Sequence, residues 1–187
     1  MRIRIIIPSR LHPDYINAEM CDLLRRELPA CGEAEIVDLS PDIVHIFGIW
    51  NSSFAKRVEA YRNIGVPVVF TSLDGILSLK KSSGGNTHSI TPTAAVRRVA
   101  KSGAIIHVCG KFERSTIIEV AKYADVRIIS NASHTATTDT ATMTAQTIDL
   151  YRETIDTADR LTREKINKKL DKIDITDHTI RDICSRI

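Results

Sequence analysis

Apolar residues in this chain fall into short runs, separated by stretches where they recur every three or four positions. Ile3-Arg4-Ile5-Ile6-Ile7, stopped by Pro8-Ser9, is short and β-branched. That is the pattern of a strand buried on both faces inside a parallel sheet. Pro13 opens helical spacing, with Ile16, Met20, Leu23, Leu24 and Leu28 on one stripe and Pro29 and Gly32 at its end. Ala34 to Leu39 and Asp42 to Phe47 read as two more strands, separated only by Ser40-Pro41. Asn51 stands where a helix cap belongs, ahead of Phe54, Val58 and Tyr61 at i, i+4 and i+7. Gly65 closes that helix, and Val66-Pro67-Val68-Val69-Phe70 is the next strand, its proline at the start where a ladder donor can be spared.

Ser82 to Ile90 has the composition of a mobile loop, and Thr91-Pro92 then starts a helix that runs to Lys101. A strand over Ala104 to Val108, a helix from Lys111 to Tyr123 and a strand over Val126 to Ile129 complete the alternation. Strands alternating with helices predict an α/β fold: a single open, mostly parallel sheet with helices on both faces. Beyond Ser130 the composition changes, with seven threonines in residues 131–147. A helical stripe of Met143, Thr147/Ile148, Tyr151 and Ile155 follows. A charged helix with Ala158, Leu161, Ile166, Leu170 and Ile173 on its apolar side comes next, and a last helix starts near Thr176. The expected layout is a sheet domain over 1–131 and, over 132–187, a Thr-rich connection with helices that pack back on it or against a second copy.

Composition narrows the class. At 43% hydrophobic and 26% charged residues the chain has enough apolar side chains for one core, which excludes disorder and fibrous repeats. Lys+Arg 26 against Asp+Glu 23 leaves a net charge of +3, spread without a basic block, so nucleic acid is not an expected partner. Four cysteines (Cys21, Cys31, Cys109, Cys184) stand far apart with no Cys-x-x-Cys, which fits reduced thiols better than a metal or disulfide framework. The apolar run in MRIRIIIPSR is too short for a signal peptide, and no stretch reaches the roughly 20 apolar residues of a membrane span. A cytoplasmic protein, free or peripheral to a membrane, is the expectation.

In an open parallel sheet, ligands sit beyond the carboxyl ends of the strands. Those ends carry Ser9 and Arg10, then Gly48, Trp50 and Asn51, then Ser72, Asp74 and Gly75, then Lys111. Asp74 is the one candidate catalytic group, a carboxylate placed to take a proton from a hydroxyl or to orient a ligand. Asp74-Gly75 reads equally as a turn. Asn51 at a helix start can meet an anion or a sugar hydroxyl, or simply cap. Trp50, the only tryptophan, is either a stacking platform or a cover for the core edge. Lys111 and Arg114 can contact an anion or stand solvated. His45 and His107 lie within strands and read as interior histidines, and the six histidines show no metal-ligand spacing. Gly-rich dinucleotide and P-loop fingerprints are absent, as is the nucleophile elbow G-x-S-x-G, so neither a cofactor nor a metal is expected.

Asp42-Ile-Val-His-Ile-Phe-Gly-Ile-Trp50 and Asn63-Ile-Gly-Val-Pro-Val-Val-Phe-Thr-Ser-Leu-Asp-Gly75 resemble the amino-terminal half of glycosyltransferase family 4. These are two-domain Rossmann-type (GT-B) enzymes, with D-I-V-H-x-H-G-x-W and G-I-P-V-V-x-S-x-H-G at matching strand ends. Ala104 to Cys109 and Val126 to Asn131 are similar to the family's next two βα units, so the likeness covers about residues 1–131. The departures are specific. Ser9-Arg10 stand in place of a glycine pair, Phe47 replaces the second histidine, and Asp74 replaces the histidine beside Gly75. No donor-binding half with its E-x7-E pair fits after Asn131, whereas Met143 to Ile155 is similar to the closing helix that crosses back onto the first domain.

The resemblance implies an acceptor-half domain of a glycosyltransferase, linked to cell-surface polysaccharide or glycoconjugate synthesis. It would bind a sugar acceptor, and its hexosyl transfer would be low or dependent on a partner. That partner would be a donor-domain subunit, or a second copy docked through 143–187. Two other readings stand beside it. One is a non-catalytic scaffold or regulatory protein on the same fold. The other is an unrelated small α/β enzyme whose site includes Ser9, Arg10 and Asp74.

Overall fold

The structure, a computed structural model, describes residues 1–8, 15, 17–76, 79, 91–132 and 139–170. Its elements are β1 (Arg2–Ile6), α1 (Ala18–Ala30), β2 (Glu35–Ile36), β3 (Ile43–Gly48), α2 (Ser52–Asn63), β4 (Val68–Ser72), α3 (Pro92–Lys101), β5 (Ile105–Val108), α4 (Lys111–Val120), β6 (Val126–Ile128) and α5 (Thr140–Leu170). The strands form one open sheet in the order β2-β1-β3-β4-β5-β6, and every pairing is parallel. The chain is thus an α/β protein of Rossmann-like architecture with a C-terminal helix. The predicted loop at Ser82–Ile90, the helix start at Pro13 and the last helix near Thr176 lie outside the described residues.

Direction of travel along the sheet decides which face each helix covers. From β1 the chain moves outward to β2, and from β3 onward it moves the opposite way. Right-handed crossovers therefore put α1 on one face and α2, α3 and α4 on the other. Alternation within β3 serves both layers. Val44 and Ile46 pack under α2 and α3 with Phe54, Val58, Val96 and Val99. Ile43 and Phe47 point to the α1 face with Met20, Leu24 and Leu28. All residues of β3, β4 and β5 are buried, as central parallel strands require.

Two expectations need correction. The strand read over Ala34–Leu39 shrinks to Glu35–Ile36, because it pairs only with the start of β1 at the sheet edge. Ser40 then adopts a left-handed φ of 49° and turns the chain toward β3. The helix from Met143 and the charged helix after it are a single helix, α5, with no break between Ile155 and Ala158. The chain carries neither Gly nor Pro over 140–170, so nothing in it interrupts the turn-to-turn hydrogen bonds.

α5 returns across the α1 face of the sheet. Met143, Ile148, Leu150 and Tyr151 are buried in the same core as Phe47, Val69 and Leu73, and Ile155 is partly buried beside them. This stripe is spent on the chain's own sheet, so a partner docked through 143–187 would meet the outer face of α5 or the helix beyond Ile155. There Leu161 is 41% exposed. Among the described residues no helix is long and apolar enough to cross a membrane.

Candidate functional site

Because the chain reverses its direction of travel between β1 and β3, α1 and α2 leave the sheet on opposite faces. The topological switch point therefore lies at the carboxyl ends of those two strands, where this architecture places its ligands. Ser9 and Arg10, which follow β1, lie outside the described residues. The neighbouring strand ends can be built up residue by residue.

The end of β4 is tied to both of its neighbours. Leu73 N–H donates to the Gly48 carbonyl at 2.7 Å, and Asn17 N–H donates to the Leu73 carbonyl at 3.1 Å. Asn17, only 1% exposed, also donates from Nδ2 to the Ser72 carbonyl at 2.7 Å and accepts the Cys109 thiol at 3.1 Å. One side chain at the start of α1 thereby joins the ends of β4 and β5. Sequence reasoning missed Asn17. It precedes a helix, where asparagine reads as a cap, yet its side chain caps nothing on α1.

Several expected ligand groups serve the fold instead. A Cβ at Gly48 would lie 2.6 Å from the Phe54 ring, so the glycine makes room for α2 to seat on the sheet. Trp50 is 3% exposed, donates from its indole N–H to the Gly75 carbonyl at 2.9 Å, and lies 4.7 Å from the Phe70 ring. It is a core residue with no open face for stacking, and the platform reading is corrected. Asn51 caps α2 through its side-chain oxygen, which accepts from Phe54 N–H at 3.0 Å. Gly75 takes a left-handed φ of 56° and presents the carbonyl that holds Trp50.

What remains open at the edge is smaller. The Ser72 hydroxyl donates to Asp74 Oδ1 at 2.6 Å, which fixes that carboxylate in a half-buried position beside Gly75. Lys111 is exposed at the first turn of α4, behind Gly110. Glu113 folds back to accept from Cys109 N–H at 2.7 Å, as an acidic residue in a first turn does. Burial, with Glu113 adding to it, raises the Cys109 thiol to about 12, so it is protonated at neutral pH and is no nucleophile.

Just inside the edge, on the α1 face, lies a buried polar chain. Tyr151 Oη is 2.5 Å from His45 Nδ1, and His45 Nε2 is 2.7 Å from Thr71 Oγ1. Thr71 Oγ1 is 2.7 Å from His107 Nδ1, and His107 Nε2 is 3.1 Å from the Ile129 carbonyl. A carbonyl can only accept, so with both imidazoles neutral it fixes every proton. His107 donates from Nε2, so its bare Nδ1 accepts from the Thr71 hydroxyl. Thr71 accepts from His45 Nε2, and His45 Nδ1 accepts from the Tyr151 hydroxyl.

Burial keeps both imidazoles neutral. Desolvation holds His45 well below the ordinary histidine value, with His107 adding to it, and draws His107 down to about 4. Desolvation also pushes the Tyr151 hydroxyl upward. The two histidines are interior, as their strand positions implied. Their link to Tyr151, 106 positions from His45, has no local signature.

Three surface depressions among the described residues lie away from the carboxyl edge, along α5 where it meets β6, the amino-terminal edge and α1. Among the described residues no three His, Cys, Asp or Glu side chains cluster as metal ligands. No protein family, no curated protein and no solved structure matches the chain. The likeness to glycosyltransferase family 4 is carried by the residues quoted above alone.

Proposed function

We propose that the chain is a glycosyltransferase-type acceptor-half domain that holds a sugar hydroxyl at the carboxyl edge of its sheet. Its transfer activity is low or depends on a partner that brings the nucleotide sugar, and cell-surface polysaccharide or glycoconjugate synthesis is the setting that fits the resemblance. The observation that carries this reading is the Ser72–Asp74 pair. A half-buried carboxylate, with one oxygen anchored at 2.6 Å by a neighbouring hydroxyl, stands at the carboxyl end of β4, the strand beside β3. Among the described residues no cation pairs with it. A carboxylate so held presents its second oxygen in a fixed direction, where it can accept a sugar hydroxyl or take its proton. The return of α5 over the first-domain strands is consistent with the closing helix of such enzymes.

A scaffold or regulatory role is favoured by a different observation. Gly48, Trp50 and Asn51 are all spent on internal packing and hydrogen bonds. Ligand-observed NMR with short oligosaccharides, free nucleotides and UDP-, GDP- and CMP-sugars separates the two readings, run on the wild type and on Asp74→Ala. The acceptor-half reading expects saturation transfer to an oligosaccharide, weakened at least tenfold in Asp74→Ala. Transfer to a nucleotide sugar would mean a donor site on this chain and would overturn the acceptor-half assignment. Silence across the whole panel would leave the scaffold.

A further inference from the structure

The buried polar chain is also the point at which α5 is fastened to the sheet. We infer that Tyr151–His45–Thr71–His107 is an acid-sensitive latch: mild acidification releases α5 from the sheet while the sheet itself stays folded. This inference is independent of the acceptor-half reading and needs no ligand.

The argument is one of proton counting. In the neutral state each ring nitrogen and the Tyr151 hydroxyl has one partner and the Thr71 hydroxyl has two, with donors and acceptors in strict alternation from Tyr151 to the Ile129 carbonyl. A proton added to His45 turns Nδ1 into a donor facing the Tyr151 hydroxyl, whose own hydrogen then has no acceptor. A proton added to His107 turns its Nδ1 into a donor to Thr71, the Thr71 hydroxyl turns to His45 Nε2, the His45 proton moves to Nδ1, and the Tyr151 hydrogen is again left without an acceptor. Either event buries a charge and strands a donor, the costly combination in an apolar interior.

Among the described residues the surroundings offer no counter-charge. α1 contributes Cys21, whose thiol burial raises to about 12, and it is the group that acts on Tyr151. From α5, Thr147 and Thr154 donate to their own helix, to the Met143 and Leu150 carbonyls. β3 adds the Phe47 ring, stacked on His45 at 4.2 Å, and the residue after β6 adds the Ile129 carbonyl. The charged groups that tie α5, Arg127–Glu153 and Arg152–Glu33, lie at its exposed rim. A proton on either histidine can be accommodated only if the chain opens. Tyr151 is the one member that does not sit in a strand, so the opening that breaks fewest sheet bonds lifts α5.

Hydrogen exchange followed by mass spectrometry, from pH 7 to pH 5 and corrected for the intrinsic exchange rate, reads this directly. Trp50, buried on the opposite layer against Phe70, reports on the sheet through its emission. The latch expects protection of amides 143–155 to fall with pH, tending to about tenfold per pH unit for each imidazole that is protonated on opening. Amides 68–72 and Trp50 emission should stay unchanged. His45→Gln should reduce that slope by one proton. Tyr151→Phe, which keeps the ring and both histidines, should lower protection of 143–155 at least tenfold at pH 7 with Trp50 emission retained. Protection of α5 that is flat with pH, that falls only together with β4, or that is unaltered in Tyr151→Phe would overturn the latch. If His45→Gln does not fold, the wild-type profile and Tyr151→Phe still decide.

Discussion

Thr71 is a small residue with a large task. Its hydroxyl both donates and accepts between two buried imidazoles, a double role that no apolar isostere can fill. Thr71→Val keeps the shape and removes the oxygen, leaving His45 Nε2–H and the His107 Nδ1 lone pair unpaired in the core. Each orphaned group costs about 1–3 kcal/mol. The variant should therefore lose several tenths of a typical domain's about 5–15 kcal/mol of stability. Urea denaturation followed by circular dichroism measures it, and a loss below about 0.5 kcal/mol would mean that the chain contributes little. Asp74 belongs to the same scale, since the Ser72 hydroxyl sets the direction of its carboxylate.

Among the elements, the seat of α2 on the sheet is the most sharply determined. The helix begins at an asparagine cap and then drives Phe54 onto the end of β3, where only hydrogen at Gly48 leaves room for the ring. Gly48→Ala should cost about 1–3 kcal/mol, the usual penalty for overpacking. The penalty should shrink when Phe54→Leu is combined with it, because the two positions share one contact. Equal losses from Gly48→Ala in both backgrounds would place the strain elsewhere. The same packing explains why a glycine matching the resemblance at this strand end need not touch a ligand: the fold requires it by itself. α5 is the other informative element. Its amphipathic stripe is continuous in the sequence, yet the charged run after Ile155 reads as a second helix until the sheet shows where burial stops.

For the whole molecule, the two buried histidines tie stability to pH. Both are held below the ordinary value of 6.5, so the unfolded chain binds the more protons as pH falls. The stability they contribute is complete above about 6.5 and is lost as pH drops toward about 4. With His107 drawn to about 4, that residue alone removes about 2 kcal/mol between pH 7 and pH 5. His45 adds to it in the same direction. Urea midpoints measured at the two values should fall with acid, and a His107→Gln variant that folds should show a shallower dependence. A stability that is level or rising toward pH 5 would contradict the neutral chain.

Periodicity and punctuation are local, and they determined what is local here. Among the described residues, the order of strands and helices, the caps at Asn51 and Thr91, the buried central strands and the inner stripe of α5 were all legible in the sequence. Candidate chemistry was legible only as residue types at strand ends. Whether such a residue faces a crevice or the core depends on atoms far away in the chain. Trp50 turns inward because Gly75 offers a carbonyl, Asn17 joins two strand ends it could not be seen to approach, and His45 meets a hydroxyl from the last helix. Those pairings, the strand order and the face each helix covers were decided only when the sheet brought distant positions within hydrogen-bonding distance. Burial then made the two histidines, Thr71, Tyr151 and Asn17 find partners.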